Sequence, residues 1–278
     1  MKEETRRNHY NAKSYLKGFR NSSKSIYRYN IKDDSILHAN SLENIGIMRH
    51  LYSQEFEGWL EENFDAKYRT LIKIIYKCIE TGKPISPEFL SLLISVVVYQ
   101  KLRHPSERDF HFHKLEDLQK FGIQGPLEKI FSPQQSYEMV NNIVYKKIFS
   151  IIENKQGAIL LAPKGCTFLT NDTGLGMVTT SITLEEKGLG FGTPNTYIFY
   201  PLDKKICLAL SDGKRKLKDG IAVKPCEAGR YRMIQGAMLL GAKPYVYSSS
   251  LRNINIAKRE SEIIKGITEE EIKRLRKV

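Results

Sequence analysis

Apolar side chains in the first half of the chain recur mostly at helical spacing. In residues 55–80 they fall about three, four or seven positions apart, which predicts an amphipathic helix that ends at Gly82. Residues 86–105 predict a second helix that is apolar almost all round, so we expect neighbours to cover every face. A third long helix is predicted over residues 134–154 and a short one over residues 10–17.

After Gly157 the pattern changes to short β-branched or aromatic runs bounded by Gly, Pro or Asn-Asp. Such runs are typical of β-strands, and they predict a mainly antiparallel sheet. The predicted strands are residues 158–162, 167–170, 177–183, 196–200 and 206–210.

The ends of the chain add a few more elements to this pattern. A strand is predicted over residues 25–31, a helix over 230–240, a strand over 245–247 and a charged helix from Thr268 to the end. Helices followed by strands are typical of the α+β class. We therefore expect an α+β fold that packs as one compact unit. Its two parts are a mainly helical part with a basic N-terminal segment, residues 1–156, and a sheet-rich part with C-terminal helices, residues 157–278.

Charge is the compositional feature that changes this picture. Hydrophobic residues are 41% and charged residues 27%, which argues against a disordered or collagen-like chain, whereas 44 Lys+Arg against 31 Asp+Glu give a net charge of +13. Residues 1–28 and 201–218 supply most of the surplus, which indicates an anionic partner; a solvated surface is the alternative for each run. The predicted nucleic-acid-binding residues are Arg6, Arg7, Lys13, Lys17, Lys214, Arg215, Lys216 and Lys218.

Several other classes of protein are not indicated. The N-terminus has no apolar leader, and the longest apolar run, residues 89–99, is about half of the roughly 20 residues that a membrane span requires. The four cysteines are far apart, so we expect reduced thiols in a cytoplasmic protein. Residues 53–69 are acidic and offer a surface for a basic protein partner.

Motifs for cofactors and metals are weak. The run Gly188-x-Gly190-x-Gly192 predicts a hairpin, because a strand follows it where a phosphate loop requires a helix. His104, His111 and His113 have no carboxylate or cysteine at a diagnostic spacing, so we expect surface or interface histidines. The sequence shows no nucleotide-cofactor motif, and a divalent metal stays open.

Two polar groups at the ends of apolar elements carry the candidate chemistry. Gln100 and Arg103 share a face at the end of the buried helix. Buried polar groups need partners, so we expect one of two arrangements. Either the two residues bind a phosphate or carboxylate, or they form a structural ion pair with the Glu62/Asp65 helix. Residues 168–172, Phe-Leu-Thr-Asn-Asp, are an apolar strand ending in polar groups, either a carboxylate site or a plain Asn-Asp turn.

Taken in order along the chain, these motifs resemble the domain-of-unknown-function family 4238. Residues 9–19 read His-Tyr-Asn-Ala-Lys-Ser-Tyr-Leu-Lys-Gly-Phe, similar to the family's His-Tyr-x-Pro-x-x-Tyr-Leu and Phe. The family's helical motif, a Gln followed by Arg-x-Pro-x-x-Arg, is matched by Gln100, Arg103, Pro105 and Arg108. Its strand motif is matched by Phe168 to Asp172, and its Pro-Leu pair by Pro201 and Leu202.

The resemblance implies that His9, Gln100, Arg103, Arg108 and Asp172 belong to one site. The chain departs from the family pattern at several positions. These are Ala12 and Gly174 in place of Pro, Asn171 in place of Ser, and Phe64 near the position of an expected Glu, for which Asp65 or Glu62 would substitute.

We therefore expect an RNA-directed nuclease or modifying, toxin-like effector of a bacterial defence system. His9 would be the general acid/base, because the ordinary pKa of histidine is close to neutrality. Arg103 and Arg108 would stabilise charge on the phosphate. Asp172, with Asp65, would orient the base or hold a divalent ion. The alternatives are a non-catalytic nucleic-acid-binding module and a protein-interaction subunit that uses the acidic face.

Overall fold

A computed structural model describes residues 7–49, 51, 54–106, 145–179, 190–214 and 216–275. Two parts of predicted elements lie outside these ranges. They are residues 134–144 of the helix predicted over 134–154 and residues 180–183 of the strand predicted over 177–183.

The N-terminal segment forms two small antiparallel pairs around a short helix. Strand β1 (Arg7–His9) leads into α1 (Lys13–Leu16), and strands β2 (Ile26–Asn30), β3 (Ser35–Ala39) and β4 (Ile47–Arg49) follow. β1 pairs with β4 and β2 pairs with β3. The predicted strand at 25–31 is thus confirmed as β2. The predicted helix at 10–17 begins later, because the Asn11 N–H donates to the Gly46 carbonyl at 3.2 Å.

The helices of the first half follow the predicted pattern closely. The helix predicted over 55–80 is α2 (Gln54–Leu60), a π-helical turn (Glu61–Asp65) and α3 (Ala66–Thr81). Gly82 ends it at φ 66°, in the left-handed region that favours glycine. The second helix begins with a 3-10 turn and continues as α4 (Leu90–Leu102), whose residues are buried on nearly every side, as predicted.

The second half is built around a five-stranded sheet in the order β10-β5-β9-β8-β7. Residues 145–153 form helix α5, which leads into the sheet. The strands are β5 (Gln156–Leu161), β7 (Gly176–Thr179), β8 (Thr196–Pro201), β9 (Ile206–Ser211) and β10 (Ala222–Pro225). The sheet is antiparallel except for β10, which pairs parallel to β5. β7 and β8 are antiparallel neighbours, and Gly190 and Gly192 precede β8, whereas Gly188 lies outside the described residues.

A second sheet joins the two halves of the chain. β11 (Tyr245–Ser248) pairs with β2 from the N-terminal segment and with the two-residue β6 (Thr170–Asn171), which gives the order β3-β2-β11-β6. The predicted strand over 167–170 is therefore much shorter than expected and displaced by about one residue.

Two helices pack together at the C-terminal end. They are α6 (Ala228–Leu240) and α7 (Leu251–Leu275). A Cβ on Gly236 would lie 2.9 Å from the backbone of Glu260, so glycine permits the close approach of α6 to α7. The prediction that the last helix begins at Thr268 is wrong, because the buried residues Ile254 and Ala257 hold the preceding turns against this contact.

The main apolar core lies between α4, the preceding helices and one face of the five-stranded sheet. A second cluster packs the opposite face of the sheet against α6 and α7. No helix within the described part of the chain is long and apolar enough to cross a membrane.

Candidate functional site

An ion pair joins the end of α4 to the π-helical turn. Arg103 Nη1 donates to Asp65 Oδ1 at 2.6 Å, and Nη2 donates to Oδ2 at 3.1 Å. The Arg103 side chain is 5% exposed and the Asp65 side chain 22%. Of the two interpretations of Arg103, the ion pair is the one observed, and its partner is Asp65 rather than the exposed Glu62.

One turn earlier on α4, Gln100 holds the N-terminal motif. Its Nε2 donates to Asn11 Oδ1 at 2.6 Å and to the Tyr10 carbonyl at 3.4 Å. The α4 helix therefore contacts the N-terminal segment through Gln100 and the acidic turn through Arg103, so these two motifs meet in space.

A cavity of only about 10 Å³ lies among these groups, lined by Asp65, Gln100, Arg103 and Tyr200 among others. That volume accommodates at most one water molecule. A nucleotide therefore has no room in the cavity in this conformation.

The strand-end motif forms a tightly bonded turn. The Asp172 carboxylate is fully buried and accepts the backbone N–H groups of Lys243, at 2.6 Å, and Tyr245, at 2.9 Å. Asn171 Oδ1 accepts from the Thr173 and Leu175 N–H groups, both at 3.1 Å. Both side chains therefore fix the β6 turn, as the alternative of an Asn-Asp turn anticipates.

Gly174 follows this turn at φ 74°, where proline cannot be accommodated. A Cβ at this position would lie 2.8 Å from Gln100 Cγ and 3.0 Å from Tyr200 Cε2. Gly174, where the family pattern has proline, thus lets the turn pack directly on Gln100.

His104 connects the two polar groups. Its Nε2 lies 3.6 Å from Asp172 Oδ2, and its Nδ1 lies 2.8 Å from Ser106 Oγ. The ring also meets Tyr10 edge to face, with centroids 5.2 Å apart. His104 is buried, so the prediction of a surface or interface histidine is wrong for this residue.

The Tyr10 hydroxyl next to this pair is held in its neutral form. Burial raises the pKa of Tyr10 well above its ordinary value, and the charge of Asp172 raises it further. Tyr10 is therefore a hydrogen-bond donor at neutral pH and not a base.

His9 lies on β1, on the side of the N-terminal motif that faces α2. Its backbone N–H donates to Glu57 Oε1 at 3.3 Å, and the Asn8 amide also donates to the Glu57 carboxylate. The structure brings Gln100, Arg103 and Asp65 together, and it places Asp172 next to His104. The backbone of His9, in contrast, contacts Glu57 on α2. The catalytic roles assigned from sequence stay predictions.

The acidic segment is less available to a partner than its composition indicates. Glu57 bonds to β1 and Asp65 pairs with Arg103, whereas Glu61 and Glu62 are exposed. Two of the acids thus hold the fold together.

The basic residues predicted to bind nucleic acid lie in two places. Lys13 pairs with Glu43 at 2.7 Å, and Lys17 is exposed on the short turn after α1. Lys214 is exposed beyond the end of β9, and Lys216 Nζ donates to the Asn154 carbonyl at 2.9 Å.

The two basic stretches of the sequence meet at the β8–β9 turn. There the Lys204 N–H donates to the Gly18 carbonyl at 3.2 Å, and Lys204 Nζ donates to the Arg20 carbonyl at 2.6 Å. Lys214 and Lys216 follow the opposite end of β9, about 20 Å away for a six-residue strand.

A second, larger pocket of about 310 Å³ lies on the five-stranded sheet and includes Lys216. Lys224 on β10 and Arg230 on α6 also line it, although neither belongs to the stretches singled out from the sequence. The pairing of β10 with β5 brings Lys224 to this place, and that pairing has no local sequence signal.

Some of the predicted residues lie outside the part of the chain that the structure describes. These are Arg6, Arg108, Arg215, His111 and His113, together with the side chains of Arg7 and Lys218. Among the residues that the structure does describe, no group of three or more His, Cys, Asp or Glu side chains could hold a metal ion.

His104 was grouped with Gln100 and Arg103 from the sequence but given no role in the site, and Tyr10, Asn11 and Glu57 were not expected in the cluster. His104 lies between Arg103 and Pro105 of the helical motif, and Tyr10 and Asn11 lie within the N-terminal one. Their position inside the motifs is a signal that could have identified them.

These features define an α+β protein in which a buried polar cluster joins an N-terminal motif, a helix end and a strand end, with a basic pocket on its larger sheet. The chain belongs to the family described as protein of unknown function (DUF4238), whose model matches residues 7–252. The resemblance drawn from the motifs is thereby confirmed. No curated protein and no solved structure matches the chain.

Proposed function

We propose that this protein binds nucleic acid, RNA in preference to DNA, at the basic pocket of the five-stranded sheet. The observation that carries the proposal is that Lys216, Lys224 and Arg230 come from three separate elements and line one pocket. Positive charge gathered in this way attracts phosphate groups. The exposed Lys214 extends the same charge beyond the pocket.

The acidic side chain at the pocket edge, Asp212, offsets little of this charge. It pairs with Lys155 at 2.8 Å, and that partner is the main reason why the pKa of Asp212 is lowered. Within the described part of the chain, Lys224 and Arg230 form no ion pair with a carboxylate. Both cations therefore remain available to a phosphate.

In this proposal the cluster around Arg103 and Asp172 has a structural role. The burial of both residues and their bonds to other parts of the fold support it. Binding of nucleic acid then depends on the sheet surface and not on the motifs that the family shares.

The test is fluorescence anisotropy of labelled RNA against salt concentration. The double variant Lys214→Ala/Lys216→Ala should bind more weakly, with a salt slope smaller by about 0.7 for each phosphate of a single strand that the protein no longer neutralises. Lys265→Ala is the matched control, because Lys265 is exposed and paired with Glu262 on α7. Equal slopes in the double variant and in the control would overturn the proposal.

A nuclease or RNA-modifying enzyme is the second candidate. One observation favours it, since His104 Nε2 lies 3.6 Å from Asp172 Oδ2 and Arg103 is the preceding residue. A histidine oriented by a carboxylate is a common arrangement for general acid–base catalysis. Because these residues are buried, the cluster would have to open for RNA to reach it.

Purified protein tests this candidate directly with total RNA and DNA, with and without Mg²⁺ or Mn²⁺. The nuclease candidate predicts cleavage that His104→Ala and His9→Ala both abolish while RNA binding persists. Intact nucleic acid under every condition, with the protein folded, rejects a nuclease. A modifying enzyme predicts a mass change in the RNA, measured on the same samples.

The proposal extends to the cellular setting. We propose a cytoplasmic protein, because all four cysteines are free thiols, and cytosolic reductants keep thiols in that state. The role as a toxin-like effector in bacterial defence belongs to the second candidate and depends on the RNA cleavage or modification assay.

A further inference from the structure

The floor of the 310 Å³ pocket is a row of small side chains that crosses the sheet. The register pairs Phe199 with Ala209, Ala209 with Ala158, and Ala158 with Ala222. Paired residues of neighbouring strands project from the same face of a sheet. Three methyl groups therefore lie side by side next to the Phe199 ring, and they leave the depression that forms the pocket.

An exposed aromatic ring forms one side of this floor. Tyr197 lies two residues before Phe199 on β8, so it projects from the same face, and it is 38% exposed. Its ring is nearly parallel to that of Phe199, at an interplanar angle of 6° and a centroid distance of 6.4 Å. Phe199 is itself buried, so its packing holds the Tyr197 ring in a defined orientation.

The cations lie around the floor rather than within it. Lys224 extends from β10, Arg230 from the first turn of α6 and Lys216 from the segment between β9 and β10. The pocket thus offers a flat apolar surface bounded by an aromatic ring and positive charges. A planar ring that carries an anionic group fits both features.

We propose that this pocket binds one nucleotide of a single-stranded nucleic acid, with the base on Tyr197 and the alanine floor and the phosphate at Lys224 and Arg230. The inference rests on the proposed nucleic-acid binding and names the form of nucleic acid that the site takes. Duplex bases are stacked on their neighbours, so their faces cannot reach a ring on the protein, whereas bases of a single strand can. The pocket volume is at the lower end for ligand sites, which suits one nucleotide.

The first test compares Tyr197→Ala with Tyr197→Phe in binding to a short single-stranded RNA and to a duplex of the same sequence. Loss of a stacked base should weaken single-strand binding by roughly fivefold to a hundredfold. Tyr197→Phe keeps the ring and should bind as the wild type does. Equal single-strand affinity in wild type and Tyr197→Ala would overturn the pocket proposal.

The second test fills the pocket without changing charge. Ala222→Leu, on the edge strand β10, should weaken single-strand binding at least about fivefold, as the loss of the Tyr197 ring does. Ala209→Leu is an independent variant at the centre of the same row, and far-UV circular dichroism with urea unfolding shows whether each variant is folded. Two folded variants with wild-type affinity would contradict the proposed position of the base.

A third measurement separates a strand from a free nucleotide. Adenosine and uridine monophosphates each carry a planar base and a phosphate of the kind found in the RNA, so both are titrated beside it. The proposal predicts that the oligonucleotide binds much more tightly, because its flanking phosphates also reach the exposed Lys214 beyond the pocket. A mononucleotide that binds as tightly as the strand would assign the pocket to free nucleotides instead.

Failure of this inference differs from failure of the proposed function. If single strand and duplex bind equally, Tyr197→Ala changes neither, and Lys214→Ala/Lys216→Ala weakens both, the cations of the pocket bind phosphate but no base stacks on Tyr197. If no RNA or DNA binds the folded wild type, both proposals fall together.

Discussion

Asp65 and Arg103 form a bidentate ion pair that joins a π-helical turn to the end of a buried helix. A π-helical turn is a wider turn inserted in an α-helix, and it changes the direction in which the following side chains point. Here the turn ends at Asp65, the residue that reaches Arg103. The pair therefore links an irregularity of the backbone to the most strongly charged contact of the polar cluster.

Removal of one partner of this pair should destabilise the protein. Arg103→Met should lower the free energy of unfolding by about 3 kcal/mol, the lower end for buried pairs because Asp65 is partly exposed. Asp65→Leu/Arg103→Met should recover part of that loss, since no charge is left buried. Urea unfolding measures both, and Lys265→Met, in an exposed pair, should cost under about 1 kcal/mol. A double variant less stable than Arg103→Met would contradict the account.

The Tyr15 hydroxyl forms a second buried polar contact, which is a neutral hydrogen bond and not an ion pair. It donates to the Pro201 carbonyl at 2.8 Å and lies 2.6 Å from Thr170 Oγ1, within a side chain that is 1% exposed. Tyr15→Phe leaves both oxygens short of a partner, so we expect a loss of about 2 kcal/mol. Tyr197→Phe is the control, with a change below about 0.5 kcal/mol. Equal effects of the two substitutions would refute the role of the hydroxyl.

Two glycines with similar backbone conformations allow the cost of backbone strain to be measured apart from the cost of overpacking. A Cβ added to Gly82 (φ 66°) would have no neighbour within 4 Å, whereas a Cβ added to Gly174 (φ 74°) would lie 2.8 Å from Gln100 Cγ. Gly82→Ala should cost about 1 kcal/mol, from the backbone alone. Gly174→Ala should cost at least about 2 kcal/mol, because overpacking adds to the strain. Thermal unfolding measures the loss of stability in each variant. Equal losses in the two variants would show that overpacking at Gly174 contributes nothing.

Asp203 should make stability depend on pH. Burial is the largest cause that raises its pKa above the ordinary 3.8. The native state therefore keeps a proton that the unfolded chain has already lost, so this residue's contribution to stability declines as pH rises between 3.8 and the raised native value.

Asp203→Asn removes this titration. The unfolding free energy of the wild type minus that of the variant should fall from about pH 4 upward and level off above the native pKa. The difference cancels the titration of the other carboxyls, and urea unfolding across this range measures it. A difference that stays constant or rises with pH would show that Asp203 is not buried as a carboxyl with a raised pKa.

Elements with a strong local pattern were predictable from the sequence. The apolar spacing of residues 55–80 and the β-branched runs of β8 and β9 appear in the structure close to the expected bounds. The strands β1, β4 and β10 were not predicted, because their partners are remote in sequence, and β3, which pairs with the adjacent β2, was not predicted either. In β3 most side chains are exposed, so alternation of apolar and polar residues gives no signal there.

The same division holds for the polar cluster. Gln100 and Arg103 could be assigned to one helix face, because helical spacing is a local property. The choice of Asp65 over Glu62 depends on the π-helical turn, and the burial of His104 depends on Tyr10 and Asp172, which are remote in sequence. The approach of Lys224 and Arg230 to Lys216 likewise needs the parallel pairing of β10 with β5.

The pairing of β2 with β11 has a consequence for synthesis. Tyr27 to Asn30 leave the ribosome long before their partners at residues 245–248. Until then the β2–β3 hairpin has an open edge, and closing so long a loop makes folding slow. The nascent chain thus exposes an unpaired strand edge, where β2 can pair with the wrong strand until residues 245–248 are available.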